Sequence, residues 1–453
     1  MKFLNSDYTN QTLKLAIPVM ITQLGQVSVN LFDNIIVGKL LGAEALASVS
    51  LGNAIFFSVF VFALGMSFAI PPLVSEANSQ KNHNEINRVF SHGFVINLVV
   101  GALMMGILML GTPLLYHANQ PEHIIPNTIR FLNIMAISMI PFMMFQTLRE
   151  VSEGLAFTIG VTKATIFANI INVVLNYVFI KGMFGLPEMG VQGSALATLI
   201  ARIFMVVFLY YVLKKEPKTR QYIKEFTLKA SVFSKELFNK MIRIGIPTSL
   251  QMFFEVTAFA GAAFICGLVS ATDIASHQVA LSMASFTFNL CIGFSVASTV
   301  MIGNKLGEKN FVELRKIGIN NIKIVFLFML FCGMVFILGR NILPTFFTKP
   351  EDVAVVLLAS KLLIIAALFQ LSDGIQVVAL GSLRGIQDVK IPSILTFIAY
   401  WVITIPLGYY LCYVREMGAW GMWIALGLGL SVSAVLLVKR FLVLTQKRID
   451  ANK

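Results

Sequence analysis

Glu255 is the residue of this sequence with the most demanding surroundings. It is the only carboxylate in Arg243–Gly267, RIGIPTSLQMFFEVTAFAGAAFICG. Equal stretches separate it from both ends, and on a helix rising about 1.5 Å per residue it stands roughly 18 Å from each. If the run spans a membrane, the acid lies near the bilayer centre. An ionisable group there costs roughly 2.5–3.5 kcal/mol on insertion scales, which points to a functional side chain facing an interior or a watery cavity. A second acid, Asp373 in FQLSDGIQVVALGSLRG, precedes Arg384 by about 16 Å of helix at the same rise. Two carboxylates at matched depth on antiparallel helices can share one Na⁺, because hard cations take oxygen ligands. They can also hold one proton between them, because neighbouring carboxylates resist double ionisation. The alternative is that each acid is capped by a hydroxyl or backbone group and serves packing.

The elements that must position these acids follow from composition. The chain of 453 residues is 57% hydrophobic and 13% charged, with mean hydropathy +0.81. A soluble domain is about 25% charged, so this is a polytopic membrane protein. Its net charge of +13 does not mark a nucleic-acid binder, since the basic residues lie between apolar runs and form no arm or stripe. Cys266, Cys291, Cys332 and Cys412 are dispersed through apolar segments without a CxxC pair and read as small packing residues. The N-terminus, MKFLNSDYTNQTLKLAIPVM, leads into a span-length run with no small-residue cleavage site and reads as a retained tail and first helix.

Crossing about 30 Å of hydrocarbon takes roughly 20 helical residues. Twelve runs qualify: 13–38, 45–72, 88–115, 128–149, 160–181, 190–213, 240–268, 274–302, 317–345, 353–382, 390–413 and 417–440. Backbone groups in lipid must bond within their own segment, and the runs are too long for barrel strands, so the predicted fold is all-α. Of the 35 Lys and Arg, 27 fall at the termini and in the even-numbered connections, which predicts a multi-pass cytoplasmic-membrane protein with both termini cytoplasmic. The longest basic connection divides the chain into a six-helix lobe 1–213, a linker 214–239 suited to anionic inner-leaflet lipid, and a six-helix lobe 240–453.

The two lobes repeat each other. LAIPVMITQ (15–23) echoes IGIPTSLQM (244–252), VSEANSQKNHNEINRV (74–89) aligns without gaps on IGNKLGEKNFVELRKI (302–317), and GVQGSALA (190–197) matches GAWGMWIA (418–425). An even number of spans per copy gives both copies one orientation, related by a pseudo-two-fold axis along the membrane normal, and places a substrate path between them. This 6+6 pattern, with IPxxxxQ-like starts to both halves, FDNIIVGKLLGAEALA after the first and GNKLGEKN after the eighth helix, resembles the multidrug and toxic compound extrusion (MATE) family over essentially the whole chain. The resemblance implies secondary antiport of organic cations, drugs and dyes against Na⁺ or H⁺. Within it Glu255 and Asp373 look like the acidic pair of the bacterial branch that exports fluoroquinolones and dye cations. In the first half the intramembrane acid is Asp33, nearer the outer surface. Asn172 and Asn176, one turn apart, and Thr198 resemble the polar cluster of the family's N-lobe. Some members carry a second Asp at the position of Asn176, and an amide there weakens a proton site at Asp33 while still offering an oxygen to Na⁺. A plain interhelical hydrogen-bond network is the other reading.

Gln278 is a candidate for the substrate pathway, with His277 beside it expected at a solvated loop end. Glu351 and Asp352 begin the tenth helix on the outside, where acids suit a helix N-terminus and Asp352 can draw cations to the mouth. The 38 Phe and 21 Met offer faces for flat apolar cations, although most must be packing or lipid-facing positions. No phosphate-binding loop, HExxH pair or dinucleotide fingerprint appears, so the drive is an ion gradient or the substrate's own gradient, and no resident cofactor is expected. The chain is expected to work as a monomer on small organic cations, with membrane lipid around it and no nucleic-acid partner. Two rival readings are a lipid-linked oligosaccharide flippase, which should concentrate Arg or Lys inside spans where only Arg202 lies, and an intramembrane enzyme, which lacks a nucleophile or metal constellation beside the acids.

Overall fold

The computed structural model describes residues 4–117, 121–349 and 351–452. Among them are twelve helices long and apolar enough to cross a membrane. They are α1 (Ser6–Leu41), α2 (Ala43–Ser79), α3 (His83–His117), α4 (Ile125–Gly154), α5 (Ile159–Lys181), α6 (Gly190–Lys215), α7 (Lys235–Val269), α8 (Ala271–Gly307), α9 (Phe311–Gly339), α10 (Val353–Gly385), α11 (Lys390–Val414) and α12 (Gly418–Ala451). No strand occurs among the described residues. The helices overrun the apolar runs chiefly at their polar, basic ends, where hydropathy fades but side chains still support the helix. Asn82 and Asn310 are N-caps whose side chains accept from the backbone N–H of Glu85 and Glu313, at 3.1 Å in both cases. At the other end α9 stops at Gly339, short of the predicted residue 345. Pro344 cannot continue an α-helix, and residues 343–346 form a 3₁₀ turn instead.

The repeat is written into the backbone of the connections. Lys81 and Lys309 take the left-handed conformation at the ends of α2 and α8, and Ala156 and Gln387 do so at the ends of α4 and α10. Each closes the same pair of bonds, its own N–H to the carbonyl three residues back and the next N–H to the carbonyl five back. These bonds satisfy carbonyls that a helix end leaves orphaned.

The chain clusters into two compact units, one of residues 21–249 and one of residues 1–20 with 250–453. The division differs from a cut at the linker, because it passes through α1 and α7 shortly after their internal Pro18 and Pro247. Glycines explain it. In the 21–249 unit Gly65 of α2 lies so close to the backbone of Ser249 that a Cβ would collide with it. In the other unit a Cβ on Gly293 of α8 would sit 2.7 Å from the carbonyl oxygen of Ala16. The start of each lobe's first helix therefore seats in a glycine notch of the second helix from the opposite repeat. Residues 214–234 also belong to the 21–249 unit and dock on α3: Ser91 donates to the Thr227 carbonyl at 2.8 Å, and Arg88 Nη2 to Ser234 Oγ at 2.8 Å. Tyr222, in the linker helix Pro217–Glu225, is buried against His83, and burial raises its phenol above the ordinary value.

Candidate functional site

In the unit of residues 1–20 and 250–453 the acids of α7 and α10 meet a tyrosine of α11. Glu255 is 9% exposed, and its Oε1 accepts from Tyr400 Oη at 3.2 Å and Gln376 Nε2 at 3.3 Å. Gln376 Nε2 also donates to Tyr400 Oη at 2.9 Å, closing a triangle. Asp373 is 3% exposed and stands one turn before Gln376 on α10. It lies within electrostatic reach of Glu255 and Tyr400. Among the described residues no hydrogen-bond donor reaches Asp373, and no Lys or Arg forms an ion pair with either acid.

Local structure fixes Tyr400. Residues 398–404 of α11 wind as a π-helix, with Thr404 Oγ1 bonded to the Ala399 carbonyl at 2.9 Å, and such widened turns recur at functional sites. Its ring packs 6.0 Å from that of Phe259 within a core that includes Phe369 and Trp423. Gln376 Oε1 is buried without a partner. The site thus gathers two carboxylates, a phenol and an amide oxygen, all hard oxygen ligands, in a place that excludes bulk water. Such a set suits Na⁺ or a proton. No cluster of three or more His, Cys, Asp or Glu occurs among the described residues.

In the 21–249 unit α1 is stitched to α5 along its length, by Thr22 to Thr162 at 3.0 Å, Asn169 to the Gly25 carbonyl at 2.8 Å, and Asn176 to Asp33. Asp33 is 7% exposed; its Oδ1 accepts from Asn176 Nδ2 at 2.6 Å and its Oδ2 from Thr198 Oγ1 at 3.4 Å. Asn172 Nδ2 donates to Thr198 Oγ1 at 3.2 Å, and its Oδ1 accepts from Asn176 Nδ2 at 3.2 Å. The four polar residues singled out in the sequence therefore form one network. Arg202, one turn beyond Thr198 on α6, donates to Ser138 Oγ at 2.6 Å, with its guanidinium 4.9 Å from the ring centre of Phe56 and 5.0 Å from that of Phe142.

Other sequence candidates lie apart from these networks. Gln278 is exposed on α8, its carbonyl accepting from Ser282. Asp352 is exposed at the N-cap of α10, accepting from the N–H of Lys349 at 3.2 Å. His277 is not at a solvated loop end: α8 begins at Ala271, two turns earlier, and carries the ring into the core 5.9 Å from Trp423. Sequence reasoning missed Gln376 and Tyr400. Gln370, Asp373 and Gln376 recur at a three-residue spacing that puts them on one helix face, and that signal was available. Tyr400 gave none beyond being a tyrosine in an apolar run. Arg149, the last residue of the predicted fourth span, is 4% exposed and paired with Glu153 at 2.7 Å.

The MatE family model matches the chain twice, over residues 18–178 and 247–410, once in each repeat. A probable multidrug resistance protein NorM of Agrobacterium fabrum is 33% identical over 449 residues, covering 98% of this chain and 95% of the relative. The multidrug resistance protein NorM of Photobacterium profundum is 32% identical, covering 95% and 94%. Among solved structures, a crystal structure of MATE in the bent conformation superposes with a TM-score of 0.89 at 20% identity, covering 99% of this chain and 98% of that one. The eukaryotic MATE transporter AtDTX14 gives 0.87 at 19% identity, covering 98% and 99%. With one family model matching both repeats and relatives above 30% identity along nearly its full length, the chain belongs to the MatE family and is a multi-pass bacterial membrane transporter.

Proposed function

We propose that this protein exports organic cations, drugs and dyes among them, across the cytoplasmic membrane in exchange for Na⁺ or H⁺, with both termini cytoplasmic. The observation that carries this reading is the Glu255–Asp373 pair, two buried acids with no basic partner among the described residues. Two such charges cannot both stay bare in low dielectric, so the site takes up a cation, either a proton or Na⁺. The curated relatives named for multidrug resistance support a drug as the counter-substrate. In the cycle, cation uptake at the pair from outside releases the drug, and the loaded site permits return to the inward-facing state. Coupling then requires that cation and drug prefer different states by several kcal/mol in total.

The test is dye efflux from proteoliposomes holding the purified protein, with sodium and pH gradients imposed separately. Efflux accelerated by one inward cation gradient, with that cation moving inward, is the expected result. Efflux indifferent to both gradients refutes antiport.

A further inference from the structure

In the unit of residues 1–20 and 250–453, α9 and α12 flank α10 and leave a groove of about 670 Å³ between them. Along α12 its wall is the stripe Ser431, Val435, Val438, Leu442 and Gln446, residues three or four apart that share one helix face. Val435 and Val443 in that wall are 65% and 45% exposed, so no described part of the chain covers them. The inner end is closed by Ser372 of α10, whose hydroxyl is bonded to that of Ser431 at 2.8 Å. From Ser431 to Gln446 the groove follows about 22 Å of helix. One leaflet of a bilayer about 40–45 Å thick with its headgroups has the same depth. Toward the Gln446 end the lining turns basic, with Arg315 of α9 and Lys439 of α12. Arg315 Nη1 donates to the Leu442 carbonyl at 3.0 Å and to Gln446 Oε1 at 2.6 Å, both neutral acceptors that fix the guanidinium over the groove. Asp450, one turn further on, takes the Gln446 amide at 2.9 Å. Among the described residues neither Arg315 nor Lys439 forms an ion pair.

The first repeat shows what such a place receives. Asn82 and Asn310 cap α3 and α9 in the same way, so Asn87 stands at the position of Arg315 and Phe94 at that of Ile322, which also lines the groove. There the linker after α6 lays Phe226 against Phe94, ring centres 5.3 Å apart, and brings Glu225 to Asn87, which donates to its carboxylate at 2.6 Å. An apolar body with an acid beside it thus occupies the counterpart positions. In the second repeat α12 runs unbroken to Ala451, and no described segment takes that place. We propose that the groove among α9, α10 and α12 binds a phospholipid with an anionic headgroup, an acyl chain along the valine stripe and the phosphate on Arg315 and Lys439. With Nη1 engaged, the other N–H groups of Arg315 are the ones offered to phosphate oxygens. A free phosphate would leave the apolar wall uncovered, which assigns the site to a lipid.

The experiment is native mass spectrometry of the purified full chain titrated with palmitoyl-oleoyl phosphatidylglycerol, with the phosphatidylcholine of the same chains, and with inorganic phosphate. One phosphatidylglycerol should bind about tenfold or more tightly than phosphatidylcholine, because each basic residue favours the anionic headgroup. Arg315→Gln with Lys439→Gln should remove that preference and leave phosphatidylcholine binding unchanged, and Val435→Trp, at an exposed position in the wall, should weaken both lipids. A phosphatidylglycerol carrying a diazirine on its acyl chain should crosslink to residues 315–322 and 431–446. Equal affinity for the two lipids, a preference that survives the double variant, lipid binding indifferent to Val435→Trp, crosslinks confined to other helices, phosphate held as tightly as the lipid, or a dimer in place of the lipid adduct overturns the proposal. If the double variant does not fold, Lys439→Gln, a change at an exposed side chain, takes its place, and an undiminished preference overturns the proposal there too. None of these readouts depends on which ion drives export.

Discussion

Replacing Glu255 by Gln tests the acid pair with little change of shape. The amide oxygen can still accept from Tyr400 and Gln376, so the triangle of hydrogen bonds among α7, α10 and α11 survives while one negative charge is lost. A monovalent cation about 4 Å from a carboxylate gains about 4 kcal/mol at an effective dielectric constant of 20. At about 1.4 kcal/mol per tenfold, losing that attraction weakens cation binding by about a thousandfold. The readout is the cation concentration that half-releases bound ethidium from the purified protein, followed by fluorescence with Na⁺ and with H⁺. Ethidium should bind the variant without added cation, yet resist release until the coupling cation is raised by two to three decades. Asp373→Asn should do the same, and the double variant should lose cation-driven release altogether, because each single change leaves one charge to hold the cation and the double change leaves none. Unchanged half-release concentrations for both ions in both single variants would refute the electrostatic role of the pair.

Three further outcomes concern stability, read as thermal unfolding in detergent. Arg149→Met strands Glu153 in the interior and should cost about 3–5 kcal/mol, and adding Glu153→Met should recover much of it. Gly293→Leu fills the notch that seats Ala16 and Met20 and should cost about 1–3 kcal/mol or more, whereas the same change at Gly106, which has open space around it, should be nearly silent. Ala156→Gly relieves a left-handed alanine and should stabilise by about 1 kcal/mol.

The sequence was most legible where physics acts on long stretches. Twelve helices, the six-plus-six repeat and the buried acids follow from apolar length, parity and the rarity of charge in lipid, and all are seen. It was least legible where a single geometry decides. Nothing in IAYWVITIPLG announces that residues 398–404 widen into a π-helix that delivers Tyr400 to Glu255. The division of the units inside α1 and α7 rests on two glycines, Gly65 and Gly293, among the 32 in the chain, distinguished only by what lies opposite them. His277 was misjudged because a polar side chain near a predicted helix end was assigned to water, while the helix began two turns earlier.

A repeat with such faithful connections makes its departures informative. Glu255 aligns with Gln26 and Asp373 with Phe142, while Asp33 aligns with Ala262 and Arg202 with Leu430. Each of these four charged positions therefore stands against an uncharged residue in the other copy. Two copies with the same helices and the same caps have kept the scaffold and redistributed the charge, leaving one unit with two acids and the other with an acid and a base. In low dielectric two acids without a basic partner need a cation from outside. Adding an acid to the other network tests whether charge alone makes such a site: Asn176→Asp gives the 21–249 unit two acids within one network, and that variant should take up a coupling cation there. A gain of bound cation that persists when Glu255 and Asp373 are both neutralised is the expected result, and its absence would mean that charge alone does not define the site.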